Sequence, residues 1–414
     1  MNSNRPYSTE SAHDHGAQDH GACPACGSGA TRAFYRCGDV PVHSCLLVDD
    51  QQTALEFPRG ELDLALCTEC GFVFNRLFDP SHNAYSSDYE ETQGFSPLFR
   101  EFIADLAAQW VQRYDLAGKR VVEIGCGKGE FLAEMVRAGV ASGVGVDPGV
   151  HPERIDADVA EKLTWVKGFF PEDYPELDAD AVICRHTLEH IAPVAEWMRT
   201  VRAAIGDRTD TAVLFELPDV RRVLDEGAFW DVYYEHCSYF TTGSLARLFR
   251  RTGFEILREW TAYDEQYLII EARPTTSGEG GLSPVFALIE DDIAAVSEAA
   301  DRFAAAHAEM IGRWQTRLRE VADAGGRSVI WGSGSKGVAF LAALGDDAPL
   351  VDAAVDINPF KHGRYMAGSG HRIVAPKELT EIQPDLVIAM NPAYLDEIGH
   401  DLAGLDLQTT LEAV

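Results

Sequence analysis

Arg120-Val121-Val122-Glu123-Ile124-Gly125-Cys126-Gly127-Lys128-Gly129-Glu130-Phe131-Leu132 decides the fold of this chain. A short apolar run ends in three alternating glycines, and a helical pattern of Phe131, Leu132, Met135 and Val136 begins at once. Strand, tight turn and helix are predicted, because glycine lets the backbone turn sharply and lets a ligand approach without meeting a Cβ. Val144-Gly145-Val146-Asp147 follows as a second apolar strand. It ends in a carboxylate about 20 residues beyond the turn, where nucleotide folds hold ribose hydroxyls. A nucleoside-type cofactor site is therefore expected, and the spacing alone leaves NAD open.

Glu123 to Gly129 follows E-x-G-x-G-x-G, which resembles motif I of the class I S-adenosylmethionine (SAM) methyltransferases. A dinucleotide-binding turn more often reads G-x-G-x-x-G. The resemblance implies SAM as the cofactor, with Glu123, Gly125, Gly127, Gly129 and Asp147 around it and His186, beyond a later strand, on the same side.

At 414 residues the chain is long for one core, and two or three domains are expected. No apolar run approaches the roughly 20 residues of a membrane span. The net charge of −31 argues against a broad nucleic-acid or anionic-membrane surface, so neither is expected as a partner. Residues 1–21 are polar, carry His13, His15 and His20, and read as a disordered tail rather than a secretory signal. Nine cysteines without a targeting segment suggest a reducing interior and a cytoplasmic address.

Cys23-Pro24-Ala25-Cys26 and Cys67-Thr68-Glu69-Cys70 are two C-x-x-C pairs, each followed by a glycine. Two such knuckles complete a tetrahedral site for Zn²⁺, and four thiolates leave no open position for catalysis. A structural zinc at Cys23, Cys26, Cys67 and Cys70 is expected, inside a small strand-rich module over 22–80. A redox dithiol or unrelated buried cysteines are the alternatives. Cys37 and Cys45 lack the spacing and read as small core residues.

Asp79 to Ser96 is polar and aromatic (Tyr85, Tyr89, Gln93, Phe95) and is expected to be a partly ordered lid over the cofactor. Phe99 to Tyr114 reads as an amphipathic helix. Further strands are predicted at 162–166, 178–184 and 213–218, then a closing hairpin at 254–257 and 267–271. With the intervening helices they predict, over 81–275, a doubly wound α/β sheet with an antiparallel edge. Ligands in such sheets bind beyond the carboxyl ends of the strands, which places His186 and His190 near the chemistry. Phe229 to Phe240 is the richest polar cluster in the chain and includes Tyr233-Tyr234-Glu235-His236. A Gly/Ser/Thr-rich boundary and a long connecting helix are expected over 276–322. A second nucleotide-fold start, Trp331-Gly332-Ser333-Gly334-Ser335-Lys336-Gly337, opens an α/β unit over 323–414. Its turn could hold phosphates through backbone N–H groups and Lys336, or be purely structural.

The zinc pairs, the SAM turn, the Tyr-x-Glu-His segment and the tail pattern Gly-x-Gly-Ser-Lys-Gly…Asp-x-Asn-Pro-x-Lys-x-Gly together resemble the three-domain sugar C-methyltransferases of deoxysugar and antibiotic biosynthesis. Such enzymes carry an N-terminal zinc-binding domain, a central SAM domain and a C-terminal Rossmann-like domain. The resemblance implies a small-molecule acceptor, a nucleotide-linked 4-keto-deoxysugar that loses the proton next to its ketone, so that the enolate takes the methyl. It also implies His236 as general base, Glu235 beside it to orient it or raise its pKa, Tyr233 in the sugar site, and His190 as the histidine after the fourth strand. Two departures from the family pattern are expected to fall in the acceptor region: Tyr234 where a histidine is usual, and Glu90-Glu91-Thr92-Gln93 where Tyr-x-Ser-Ser is usual. Methylation at oxygen or nitrogen of another metabolite is the alternative, and a non-catalytic zinc- and nucleotide-binding scaffold a further one.

Overall fold

Strand Arg120–Ile124 sits inside a seven-stranded sheet, and its apolar residues Val121, Val122 and Ile124 are divided between two cores. Val122 and Ile124 face one buried core and Val121 the other. A parallel strand covered on both faces reads as a continuous hydrophobic run. The computed structural model describes residues 21–82, 88–276, 278 and 280–414; the expected tail up to residue 20, and Tyr85 of the expected lid, lie outside the described residues.

The central sheet runs in the order Phe254–Ala262, Tyr267–Pro274, Ala212–Pro218, Ala181–Arg185, Arg120–Ile124, Ser142–Val146, Leu163–Val166. Tyr267–Pro274 is antiparallel to both of its neighbours, and the other pairings are parallel. Helices Pro97–Arg113 and Glu130–Arg137 cover one face, Val194–Ile205 and Thr242–Arg251 the other. This is the doubly wound sheet of class I methyltransferases. A second, all-parallel sheet has the order Ile373–Val374, Val351–Val355, Ser328–Trp331, Leu386–Ala389, Thr410–Ala413.

A third, antiparallel sheet begins with Thr31–Pro41, Arg59–Cys67 and Val73–Asn75. Its fourth strand, Ser238–Tyr239, comes from far along the chain and pairs Val73 with Tyr239 and Phe74 with Ser238. Residues 22–80 therefore do not complete their own sheet. Strand Arg59–Cys67 is buried on both faces from Leu62 onward: Ala65 and Cys67 join the core of the central sheet, whereas Leu62, Leu64 and Leu66 join the core of the C-terminal sheet. The N-terminal sheet is a wedge between the other two.

One long helical pattern was expected over 285–322; it is two helices, Pro284–Ile289 and Ile293–Asp323. The break falls at Asp292, whose carboxylate accepts from Thr241 Oγ1 (2.7 Å) and pairs with Arg247 instead of continuing the helix face. The longer helix packs against the N-terminal sheet, the helix Val220–Glu226 and the C-terminal unit. Phe303 meets the rings of Phe34 and Tyr35 at 6.2 and 5.1 Å, and Trp314 meets Phe340 at 5.7 Å.

Tyr234 belongs to this packing and not to the acceptor region. Its ring is 2 % exposed, lies against Gly60 and Phe78, and its hydroxyl accepts from Asp79 N at 2.9 Å. The expectation that this departure bears on the acceptor is corrected: consecutive side chains of the turn diverge, and Tyr234 points into the N-terminal sheet. Tyr234→Phe keeps the ring and removes one hydrogen bond. It should cost about 1 kcal/mol in urea unfolding and leave turnover unchanged.

Candidate active site

Both glycine turns line one cavity of about 490 Å³, at the carboxyl ends of the central strands. They are built alike. Gly127 N donates to Asp147 at 3.0 Å, and Ser333 N donates to Asp356 at 3.1 Å, so in each a carboxylate from the next strand closes the turn. Gly125 and Gly129 need their glycine: both have positive φ, +70° and +84°, and an added Cβ would come within 1.9 Å of Thr187 Oγ1 and 2.3 Å of the Trp165 ring. Asp147 also accepts from Gly149 N at 2.6 Å.

Residues 89–96 lie over the first turn. A Cβ on Gly127 would sit 2.7 Å from Glu91 Oε1, and Tyr394 from the C-terminal unit donates to Gln93 Oε1 at 2.8 Å. Glu90, 1 % exposed, accepts from Arg154 and from Asn358 Nδ2, both at 2.9 Å. Glu90 thus ties this segment to both nucleotide-type folds.

The cavity wall carries buried carboxyl oxygens without hydrogen-bond partners. Among the described residues, buried carboxylate oxygens lacking a hydrogen-bond partner belong to Glu91, Glu123, Glu189 and Glu259, and the first three line the cavity. Burial pushes the Glu91 carboxyl up to about 7 and Glu123 up to about 8, against the pull of Lys128 and Arg185 respectively. Leaving such groups unpaired is costly. A ligand bearing a sulfonium and an ammonium supplies the missing positive charge, so these residues and the glycine turn fit SAM.

The structure also brings the imidazoles together. His236 is 5 % exposed, its Nε2 lies 3.0 Å from the Tyr233 hydroxyl, and its ring stands edge-on to His190 at 4.8 Å. Burial, helped by His190, His186 and Lys336, holds the His236 pKa well below the usual imidazole value. Tyr233 is pushed the other way, far above the ordinary phenol, by burial and the acids nearby. His190 Nδ1 lies 3.1 Å from the Glu235 carbonyl oxygen.

His186 contrasts with His236. It has a positive φ of +47°, and its Nε2 lies 2.8 Å from Glu216 Oε1. A non-glycine residue held there is a mark of a functional site. Burial opposes its charge, but Glu189 and Glu216 outweigh that and raise it to about 9. Glu216 is held down at about 2, burial being overcome by Arg185 and His186.

Glu235 departs from expectation. Its carboxylate turns away from His236, accepting from Ser44 N at 2.8 Å and lying 2.8 Å from His43 Nδ1. It neither orients His236 nor raises its pKa; it anchors the turn to the N-terminal region. Lys336, considered for phosphate, has its Nζ 2.6 Å from Asp231. Glu189 was not singled out in the sequence, although it stands between Leu188 and His190 at the carboxyl end of the fourth strand. The only local signal was that acid beside a histidine where ligands bind.

The four cysteine sulfurs lie within 4.8 Å of one another, with Cys23–Cys70 at 3.7 Å and Cys26–Cys67 at 3.6 Å. Thiolates about 2.3 Å from a tetrahedral ion stand about 3.8 Å apart, so the cluster fits zinc. No helix among the described residues is long and apolar enough to cross a membrane.

The chain is similar in sequence to known proteins over most of its length. Residues 99–259 match the model of a methyltransferase domain, and residues 287–409 that of a C-methyltransferase C-terminal domain. The C-methyltransferase NovU of Streptomyces niveus is 25 % identical over 397 residues, which are 91 % of this chain and 90 % of NovU. Among solved structures, the N,N-8-amino-8-demethyl-D-riboflavin dimethyltransferase RosA of Streptomyces davawensis aligns at 25 % identity with a TM-score of 0.36, over 43 % of this chain and 55 % of that one. The chain is a SAM-dependent methyltransferase in which a methyltransferase domain is followed by a C-methyltransferase C-terminal domain.

Proposed function

We propose that the enzyme methylates carbon, at the position next to the ketone of a nucleotide-linked 4-keto-deoxysugar, through an enolate. The observation that carries this is the pairing of a neutral, buried imidazole with a phenol at the cavity wall: His236 Nε2 and the Tyr233 hydroxyl, 3.0 Å apart. The match to a C-methyltransferase C-terminal domain and the likeness to NovU support it.

SAM supplies, when bound, a methyl group already activated on a sulfonium. The protein's task is then the acceptor. A proton α to a ketone leaves only if a positioned base takes it while donors hold the oxygen. His236 has its charge suppressed and takes that proton. Tyr233 keeps its own, so its hydroxyl donates to the ketone oxygen as negative charge builds there. His190 packs against His236 and holds the ring's angle, while Gly125, Gly127, Gly129, Glu123 and Asp147 form the cofactor side, with His186 next to them. The opposed shifts of His186 and His236 separate a fixed cation from a base. A cavity reached by both glycine turns leaves room for an acceptor with a nucleotide attached, its phosphates meeting the turn at Gly332 to Gly337.

The test uses thymidine diphosphate 4-keto-6-deoxyglucose as probe acceptor, in D₂O, without SAM. Deuterium should enter next to the ketone, and His236→Ala should bind SAM normally in calorimetry yet lose roughly 10²- to 10⁴-fold in both exchange and turnover. Methyl transfer without exchange would instead indicate an oxygen or nitrogen acceptor.

We also infer that Cys23, Cys26, Cys67 and Cys70 hold one structural Zn²⁺. Arg247 Nη1 donates to the Cys70 carbonyl at 2.6 Å, so the knuckles are fastened to the methyltransferase helices. Cys67→Ser should abolish bound zinc by elemental analysis and lower the melting temperature by about 10 °C or more. Full stability without metal would refute the assignment.

A further inference from the structure

Among the described residues, Glu189 is the one acid at the cavity whose carboxylate has neither oxygen hydrogen-bonded while its side chain is almost wholly buried, 3 % exposed. Its Oε1 lies 3.6 Å from His186 Nδ1 and 4.0 Å from His236 Nε2. One oxygen therefore stands between two imidazoles without closing a hydrogen bond to either. The 3₁₀ turn Leu188–His190 holds it there, and the carbonyl of Glu189 accepts from Cys237 N at 3.0 Å, which fixes this turn against the segment that carries His236.

We propose that Glu189 is the positioning carboxylate of the proton-transfer site, the counter-ion that receives His236 once it is protonated. This rests on His236 being the base. Before the reaction His236 is neutral, and Glu189 is paired with His186 at 3.6 Å without a closed hydrogen bond. When the acceptor's α C–H bond breaks, its proton forms an N–H bond at His236 Nε2 and its electron pair stays on the acceptor as the enolate. The imidazolium then faces Glu189 across a gap that a small ring movement closes to a charge-assisted hydrogen bond. Catalytic contacts are often long in the unliganded state and tighten when the ligand is bound. His186 cannot take this role, because Glu216 already holds it as a cation. His186 Nδ1, 3.6 Å from the same oxygen, helps to hold Glu189 aimed at the cavity. Glu235, the acid adjacent to His236 in sequence, is occupied by His43 and Ser44 and is not available.

Glu189→Gln and Glu189→Asp in the full chain test this. Ring ¹⁵N spectra should show His186 titrating at least one unit lower in Glu189→Gln, with SAM affinity within twofold of the wild type. On the probe acceptor, kcat should fall roughly 10- to 100-fold with KM for SAM unchanged, and Glu189→Asp should recover part of the loss. If the wild type does not turn the probe over, the acceptor assignment fails, and the ring titrations with proton-exchange rates at His236 still decide the role of Glu189. Unchanged titration and unchanged kcat in Glu189→Gln would overturn the proposal. Stoichiometric Mn²⁺ binding to the wild type, lost in Glu189→Gln, would also overturn it, since Glu189, His190 and His236 would then be ligands of an ion.

Discussion

Burial of one strand on both faces, Arg59–Cys67, is the constraint on which the rest depends. Its odd and even positions are claimed by different cores, so the N-terminal sheet cannot shift without disturbing both nucleotide-type sheets. That sheet takes its fourth strand from Ser238–Tyr239, two residues beyond His236. Glu235 is bolted to His43 and Ser44 from the same region. The cysteine cluster closes the end of this strand at Cys67. A structural metal far from any chemistry would thus set where the imidazole of His236 stands, through backbone pairing rather than through charge.

The cavity can be understood as a division of charge. Among the described residues, Glu91, Glu123 and Glu189 bring buried oxygens without hydrogen-bond partners to the cavity where a cationic cofactor fits, whereas Asp147 and Asp356 are spent closing the two turns. The lysines near the second turn are similarly engaged, Lys336 with Asp231 and Lys361 with Asp356 at 3.3 Å. Two histidines of the same wall end in opposite states: carboxylates on His186 hold its proton, while burial among positive neighbours keeps His236 free of one. Low dielectric makes both effects large.

Much of the fold was legible because its signals are local. The run from Arg120 to Leu132 carries strand, turn and helix within one stretch, and the structure forms them with helix Glu130–Arg137 capped at Gly129. The same holds for the second turn at Gly332 to Gly337 and for the closing hairpin. Side-chain direction within a turn was not legible. Tyr233 and His236 face the cavity, but Tyr234 and Glu235 face the N-terminal sheet, and their partners Asp79, His43 and Ser44 are more than 150 residues away. The two-residue strand at Ser238 is too short for any periodic pattern to reveal. Glu189 escaped notice for a related reason: its meaning comes from His236, 47 residues on, and from an absence of donors that only three-dimensional packing can establish.

The account's central claim is that one cavity brings the cofactor's methyl group and the Tyr233–His236 pair together. A crystal structure of the full chain with S-adenosylhomocysteine tests it most directly. The adenosine ribose should lie at Asp147 and the thioether sulfur between the Gly125–Gly129 turn and the His236 ring. Density for the nucleoside elsewhere, or a sulfur walled off from Tyr233 and His236, would contradict it.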